Sequence, residues 1–159
     1  MIFVTVGSEL PFDRLVRVVD QWAGETGRKD VFAQIAETTW RPQHIPFKQF
    51  LEPAEFAERL TSASVIVSHA GMGTILSALR YEKPILVMPR RTAFREVRNE
   101  HQLATSQRLS EMGRIAVALD EVELRARLDR IDELKPKEKI SPYAGPELIS
   151  ALRTFIAER

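Results

Sequence analysis

The sequence predicts an α/β protein in which helices flank a parallel β-sheet. Short runs of β-branched and apolar residues alternate along the chain with longer segments whose apolar side chains recur at helical spacing. Most of the short runs are bounded by glycine, proline or polar residues. This alternation is typical of βαβ units, in which helices cover the faces of a parallel sheet. The pattern does not reveal the order of the strands.

Composition predicts one domain, covering residues 1–159, because the chain has 159 residues of which 44% are hydrophobic and 28% charged. The net charge of +1 indicates no nucleic-acid partner. The sequence contains no cysteine, which excludes disulfides and thiolate chemistry, and its three histidines share no metal-ligand spacing. We therefore expect neither a metal nor a cofactor. The apolar start ends at Gly7, too early for a signal peptide, and no run reaches the roughly 20 apolar residues of a membrane span.

The first half of the chain predicts three strands and two helices. Ile2–Val6 and Val31–Ile35 have the composition of buried strands, and Phe47–Leu51 is a weaker candidate. Apolar residues over Phe12–Val19 recur at helical spacing. A second helix is predicted to begin at Pro53, since proline is favoured in the first turn.

The second half repeats the alternation. Val65–Val67, Pro84–Pro89 and Ile115–Ala118 are predicted strands, with one helix following Gly71 and another over Asn99–Met112.

Capping residues and a charged run mark the limits of the later elements. Gly113 fits a helix C-cap, and Asp120 can cap the next helix. Helices are expected within residues 120–159, the last over Pro146–Ala157. Lys135–Lys139 reads as a solvated loop between them.

Two strand ends have the glycine-rich composition that is typical of a phosphate-binding site. Gly7 and Ser8 follow the first strand, and Gly71 and Gly73 lie at the start of the helix after the fourth. Glycines let a phosphate approach the backbone, and the first-turn N–H groups of a helix favour negative charge. An alternative is that the glycines serve only tight turns and close packing. Neither G-x-x-x-x-G-K-[ST] nor G-x-G-x-x-G occurs, which disfavours an NTPase or a dehydrogenase.

Four segments carry a resemblance to a known family. VTVGSELPFDRLV, ASVIVSHAGMGTILSAL, KPILVMPR and NEHQLATSQRL, within residues 2–117, resemble the C-terminal domain of glycosyltransferase family 28. The likeness is strongest to its small stand-alone members, which serve bacterial exopolysaccharide and capsule synthesis and the eukaryotic dolichol-linked GlcNAc transferase. The resemblance implies a Rossmann-like domain that forms the C-terminal half of a GT-B glycosyltransferase and binds a UDP-sugar.

The resemblance also implies roles for particular residues, which fall into four groups along the chain. Gly7 and Ser8 match the loop against the phosphates; His69, Ala70, Gly71, Met72, Gly73 and Thr74 match the turn that holds the diphosphate; Pro89 and Arg90 match the strand end lining the donor pocket; and Glu100, His101 and Gln102 match the motif whose Gln reaches the sugar hydroxyls. No residue is identified as the catalytic base, which in this family belongs to the other half.

Ser77 departs from the family pattern. The family usually has Glu at this position, where it binds the nucleotide ribose. Exchanging a charged acceptor for one hydroxyl costs on the order of 1.5–3 kcal/mol. This predicts weaker donor binding, a group supplied by a partner, or a subunit that has lost catalysis.

The histidines and arginines near these motifs allow structural as well as functional interpretations. His69 and Thr74 could stabilise the leaving diphosphate, while His69 could instead orient the turn through backbone contacts. His101 is interpreted as structural. Arg90, Arg91 and Arg95 belong to a cluster read either as a solvated loop with salt bridges or as a mobile wall near the diphosphate.

The resemblance predicts the partners and the location. We expect a membrane-anchored, acceptor-binding glycosyltransferase subunit as partner, and a lipid-linked acceptor reached through it. The chain would then be peripheral on the cytoplasmic face of the membrane. A homodimer in isolation is an alternative, since unpartnered apolar surface can self-associate. Two other hypotheses stand beside this one: a non-catalytic subunit of the same family that stabilises or enhances a partner, and an unrelated nucleotide-binding α/β domain.

Overall fold

A computed structural model describes residues 1–98, 101–136, 150, 153 and 154. Six parallel strands form one sheet in the order β3-β2-β1-β4-β5-β6. The strands are β1 Ile2–Thr5, β2 Val31–Gln34, β3 Phe47–Lys48, β4 Val65–His69, β5 Ile85–Met88 and β6 Ala116–Val117. The helices are α1 Asp13–Thr26, α2 Pro53–Ser62, α3 Met72–Arg80, α4 His101–Glu111 and α5 Glu121–Leu128, with 3₁₀ turns at Thr92–Phe94 and Ile131–Glu133. The predicted class, a parallel α/β sheet flanked by helices, is confirmed.

The central strands are apolar throughout because helices cover both faces of the sheet. Ile2 and Val4 of β1 belong to the buried cluster beneath α1 and α5. Phe3 belongs to the cluster on the other face, beneath α2 and α3. Strands covered on both faces read as continuous apolar runs instead of alternating ones. Trp22 of α1 is 2% exposed and packs within the first cluster.

Local signals in the sequence correctly mark several helix ends. Pro53 is the first residue of α2. The Asp120 carboxylate accepts a 2.8 Å hydrogen bond from the backbone N–H of Glu123 and so caps α5. Gly113 follows α4 with a φ of +67°, in the left-handed region that glycine adopts without strain.

The third strand is shorter than predicted. The sequence indicated a strand over residues 47–51, whereas β3 contains only Phe47 and Lys48. Backbone pairing continues one step further, since Ala36 N–H donates to the Gln49 carbonyl at 2.9 Å. Ala36 has a φ of +56°, and the chain leaves the sheet there. β3 is an edge strand with a neighbour on one side only, so little holds Phe50 and Leu51 in extended pairing.

Several predictions fall partly or wholly outside the described residues. They concern Asn99 and Glu100, most of Lys135–Lys139, and most of the helix proposed over Pro146–Ala157. Ser150, Arg153 and Thr154 are helical, and Lys135 is exposed outside regular structure. Within the described residues, no helix combines the length and the apolar composition needed to cross a membrane.

The sheet order decides where the site can form. β1 and β4 are neighbours, with Thr5 opposite Ser68, and β4 pairs with β5, with His69 opposite Met88. Parallel strands all end at the same edge, so the loops that follow β1, β4 and β5 meet there.

Candidate functional site

The loops after β1, β4 and β5 enclose a polar cavity of about 370 Å³ at the carboxyl edge of the sheet. Its described lining consists of Val6, Gly7, Ser8, Glu9, His69, Gly71, Gly73, Thr74, Arg90 and Gln102. The structure thus brings together residues from all four segments that the sequence singled out. The lining comes from strand ends and helix starts, where side chains are held by the scaffold.

The His69 imidazole fills the space between two of the glycines. A Cβ at Gly71 would lie 2.1 Å from His69 Nε2, and a Cβ at Gly7 would lie 2.9 Å from His69 Cε1. Real Cβ atoms do not approach other atoms so closely, so any side chain at either position would displace the ring. Gly7 also has a φ of +79°. These two glycines are therefore required by the fold around His69, whatever the cavity binds.

His69 is neutral near pH 7. Burial, and after it the positive charge of Arg90, lowers the pKa of His69 from 6.5 to about 4. Its Nδ1 lies 3.3 Å from the Ser68 hydroxyl, which itself donates to the His69 carbonyl at 2.9 Å. The ring can act as a hydrogen-bonding and packing group, but it brings no positive charge to an anion in the cavity.

Gly73 has a different setting from the other two glycines. No atom lies within 4 Å of the position that its Cβ would take. It lies in the first turn of α3, whose N-cap is Gly71 and which no side chain of the described residues caps. The first-turn N–H groups of a helix carry partial positive charge and need an acceptor. This turn can accept an anion without displacing a side chain.

A buried polar network holds the loop after β1 in place. Gln34, which is 3% exposed, donates from Nε2 to the carbonyls of Gly7 at 2.8 Å and of Gln49 at 2.9 Å. Its Oε1 accepts from the Thr5 hydroxyl at 2.6 Å. Because both ends of the buried amide are engaged, Gln34 fixes Gly7 relative to β2 and β3. From the sequence, Gln34 was predicted only as part of a strand.

Arg90 and Gln102 complete the wall formed by β5 and α4. Arg90 is 4% exposed, and its Nη2 donates to the Val6 carbonyl at 2.9 Å and to the Leu10 carbonyl. The Arg90 backbone N–H donates to Gln102 Oε1 at 3.2 Å. Because the side-chain oxygen of Gln102 accepts this bond, the side-chain NH₂ is the group that remains to bind a ligand.

A second cavity of about 460 Å³ adjoins the first and shares Gly7, Ser8, Gly73 and Thr74 with it. Its other described lining residues are Gln34, Phe50, Leu51, Pro53, Phe56 and Ser77. Phe50 is 52% exposed, so an aromatic ring stands at its margin. The two cavities form a groove that is polar at the α3 turn and more apolar towards β3 and α2.

A family model decides the classification. The model for the glycosyltransferase family 28 C-terminal domain matches residues 1–144. The chain belongs to this family. The hypothesis of an unrelated nucleotide-binding domain is thereby wrong. Among characterised relatives, the chain is similar to the "UDP-N-acetylglucosamine transferase subunit ALG13" of Eremothecium gossypii, with 34% identity over 93 residues. That match covers 57% of this chain and 44% of the relative, so it spans less than half of the relative's length.

Solved structures support the same fold. The chain is similar to an NMR structure of ALG13, with a TM-score of 0.60, 19% identity, and coverage of 95% of this chain and 93% of that one. It is also similar to MurG of Acinetobacter baumannii, with a TM-score of 0.61, 15% identity, and coverage of 82% and 40%. A third neighbour is Os79 of O. sativa in complex with UDP, with a TM-score of 0.60, 14% identity, and coverage of 83% and 31%. At these identities the likeness concerns the GT-B fold alone.

Not every residue that matches the family 28 motifs faces the groove. Ala70 is buried at 3% exposure, Met72 is 44% exposed, and neither lines either cavity, nor do Pro89 and His101. The Pro89 carbonyl instead accepts from Arg14 Nη2 at 3.4 Å. Glu100 lies outside the described residues. Their predicted donor contacts remain predictions.

The basic cluster divides into different environments. Arg90 is neither solvated nor part of a mobile wall, since it is buried and bonded to the loop after β1. Arg95 is exposed, in agreement with a solvated loop. Glu96 is engaged by Arg14 through two hydrogen bonds of 2.9 Å, so the loop after β5 is tied to α1. The sequence motifs do not predict these contacts, because Arg14 and Glu96 are 82 positions apart and meet only in the folded chain.

The β3 side of the groove contributes residues that the sequence did not predict as site residues. Phe50, Leu51, Pro53 and Phe56 line the second cavity, and Glu9 lines the first. The loop after β3 reaches the groove because β2 places it near β1. The signal in the sequence was the apolar character of Phe50 and Leu51. The sequence prediction instead included both residues in the third strand.

Proposed function

We propose that this chain is the donor-binding subunit of an inverting, UDP-sugar-dependent glycosyltransferase that works with a separate acceptor-binding subunit. The observation that carries the proposal is the two-part groove: a polar cavity at the α3 turn, continuous with a cavity that has an aromatic margin. These parts suit the diphosphate and the nucleoside of one ligand, respectively. Membership of family 28 supplies the reaction class.

The groove favours departure of the diphosphate. In an inverting transfer, the acceptor hydroxyl forms a bond to the anomeric carbon while the bond from that carbon to the diphosphate oxygen breaks. Negative charge then grows on the diphosphate. The N–H groups at the start of α3 and the Thr74 hydroxyl would stabilise it from fixed positions. The base that takes the acceptor proton would come from the partner.

The Gln102 amide would bind the donor sugar. Its carbonyl oxygen is held by the Arg90 backbone N–H, which leaves the NH₂ to donate to a sugar hydroxyl. UDP-N-acetylglucosamine is the first donor to test, because a similar protein carries that sugar in its name. We expect the reaction to need no metal ion, and transfer in the presence of a chelator checks this.

A partner would also account for apolar side chains around the groove. Leu10, Phe50, Met72 and Leu76 are 44–52% exposed. Phe50 lines the second cavity, and Leu10 follows Glu9, which lines the first. A membrane-anchored partner on the cytoplasmic face would bring a lipid-linked acceptor to this surface. Size measurement of the isolated chain distinguishes a monomer awaiting this partner from a homodimer that covers the same side chains.

Calorimetric titration with UDP and a panel of UDP-sugars tests donor binding. We expect the wild-type chain to bind UDP and Gly73→Asp to lose binding, because a carboxylate in the first turn of α3 would repel the diphosphate. Val122→Asp is the matched control, since Val122 is 79% exposed and is likewise the second residue of a helix. Equal loss in both variants would contradict the placement of the diphosphate.

The Ser77→Glu variant distinguishes a donor-binding subunit from a non-catalytic subunit that only enhances its partner. Ser77 lines the cavity assigned to the nucleoside, and a carboxylate there can accept from two ribose hydroxyls. We expect UDP affinity to rise about tenfold or more. Absence of UDP binding in both the wild type and Ser77→Glu would favour a non-catalytic subunit that only enhances its partner. Transfer activity with the partner, lost in Gln102→Ala, would exclude that alternative.

A further inference from the structure

Arg90 is a buried cation at the end of β5 with an unusual set of contacts. Its Nη2 bonds the carbonyls of Val6 and Leu10, which bracket the loop after β1. The Phe12 ring lies 5.4 Å from the guanidinium carbon and covers one side of it. The guanidinium is thereby locked to the loop that forms one wall of the polar cavity.

Only part of the hydrogen-bonding capacity of this guanidinium is used. Nη2 makes both side-chain bonds, while the described residues provide no acceptor for Nη1 or for Nε, which is fully buried. A buried donor without an acceptor is costly and therefore uncommon in native proteins. Arg90 is one of the residues that line the polar cavity. Because Nε is fully buried and Nη2 is engaged, Nη1 is the donor of this charged group that would remain for an anion in the cavity.

The carboxylates near Arg90 do not neutralise it fully. Glu96 and Glu9 are the acidic groups whose charges act on Arg90. Glu96 is held by two hydrogen bonds from Arg14, so its charge is shared with another cation. Glu9 is exposed and lines the same cavity. Glu9 makes no hydrogen bond to Arg90, so it would compete with a bound anion through space alone.

We propose that Arg90 is the charge-recognising residue of the site and selects the diphosphate group of the donor from a fixed position. This inference rests on the proposed donor-binding function. His69 lies between the glycine turns and is neutral, so it cannot supply this charge. Arg90 therefore adds a full side-chain charge to the α3 N–H groups in binding the phosphates, whereas affinity for the nucleoside comes from the neighbouring cavity.

Titration with UDP and with uridine separates these two contributions. In the Arg90→Gln variant, we expect UDP affinity to fall about tenfold to a hundredfold, since hydrogen bonds to a charged group are lost. Uridine affinity should stay within about threefold, because uridine carries no phosphate. Arg90→Lys should keep part of the UDP preference, since the charge remains. Circular dichroism and thermal unfolding establish that each variant is folded.

Glu9→Gln is the matched control on the same wall, since it removes a charge of opposite sign. We expect its UDP affinity to rise up to about fivefold with unchanged uridine affinity. A parallel loss of UDP and uridine binding in Arg90→Gln would show that Arg90 only shapes the loop and would overturn the inference. If Arg90→Gln does not fold, Glu9→Gln decides, and no gain in UDP preference overturns it. A wild-type chain that binds no UDP would refute the proposed function itself.

Discussion

Two regions of this protein present neighbouring backbone N–H groups that suit an anion, and the regions differ in whether the described chain supplies that anion. In the loop between β2 and β3, the anion is a side chain of the protein. At the start of α3, no side chain of the described residues provides one. The same local device thus serves stability in one region and is available for a ligand in the other.

Asp20 closes the first of these regions. Its side chain, on a residue that is 4% exposed, accepts hydrogen bonds of 2.8–3.1 Å from the backbone N–H groups of Gln43, His44 and Ile45. These bonds attach the loop before β3 to the middle of α1. A buried carboxylate requires such compensation, and it receives it entirely within the chain.

The α3 turn is built to stay accessible. Gly73 leaves its surroundings clear, whereas Gly71 and Gly7 accommodate the His69 ring. Supporting bonds lie behind the surface, in the Gln34 network and the Arg90 contacts. A rigid frame with unpaired donors at its surface is the arrangement that anion binding requires.

The largest expected effect comes from removing the Asp20 carboxylate. We expect Asp20→Ala to lower the free energy of unfolding by about 3 kcal/mol, because three backbone N–H groups, one of them on the buried Ile45, lose their charged acceptor. Asp20→Asn keeps one acceptor oxygen and should cost less. Urea unfolding measures both. UDP affinity of the folded variants should equal that of the wild type, and a loss of UDP binding would mean that the two regions are coupled.

Acidification should weaken the region around His69. The pKa of His69 is about 4 in the folded protein and near 6.5 when unfolded, so the unfolded state takes up a proton first as the pH falls. Stability contributed by the neutral ring is complete above about pH 6.5 and decreases towards pH 4, by up to about 3 kcal/mol.

Urea unfolding across this pH range should therefore show a steeper loss in the wild type than in His69→Gln. The comparison of slopes cancels the carboxylates, which titrate in both proteins. Equal slopes would contradict a His69 ring that is neutral in the folded protein.

Two alanine substitutions sharpen the contrast within the α3 turn. Gly71→Ala should lower the free energy of unfolding by about 1–3 kcal/mol, because its methyl group overlaps the His69 ring. Gly73→Ala should leave the protein as stable or up to about 1 kcal/mol more stable, since its methyl group meets no atom.

Thermal unfolding and UDP titration together check this pair. We expect both variants to lose UDP affinity, and Gly73→Ala to do so without any loss of stability. Unchanged UDP affinity in Gly73→Ala would place the diphosphate elsewhere in the groove.

Much of this organisation could be read from the sequence because it depends on neighbours along the chain. Apolar runs predicted the strands, and Pro53, Gly113 and Asp120 were correctly assigned to helix ends. Family motifs predicted most of the residues around the polar cavity, including Gly7, Ser8 and Gln102. Cap chemistry and binary patterning act over a few residues, so they are legible without the fold.

Tertiary structure alone decided the rest, because the deciding contacts join distant positions. The strand order brought Phe50 and Leu51 to the groove and made β3 a short edge strand. Burial turned Arg90 from one of several loop arginines into a fixed cation, through carbonyls 84 and 80 positions away. Burial likewise made His69 neutral. Sequence specifies which groups can bind an anion, but burial and long-range pairing set which of them are charged, held and accessible.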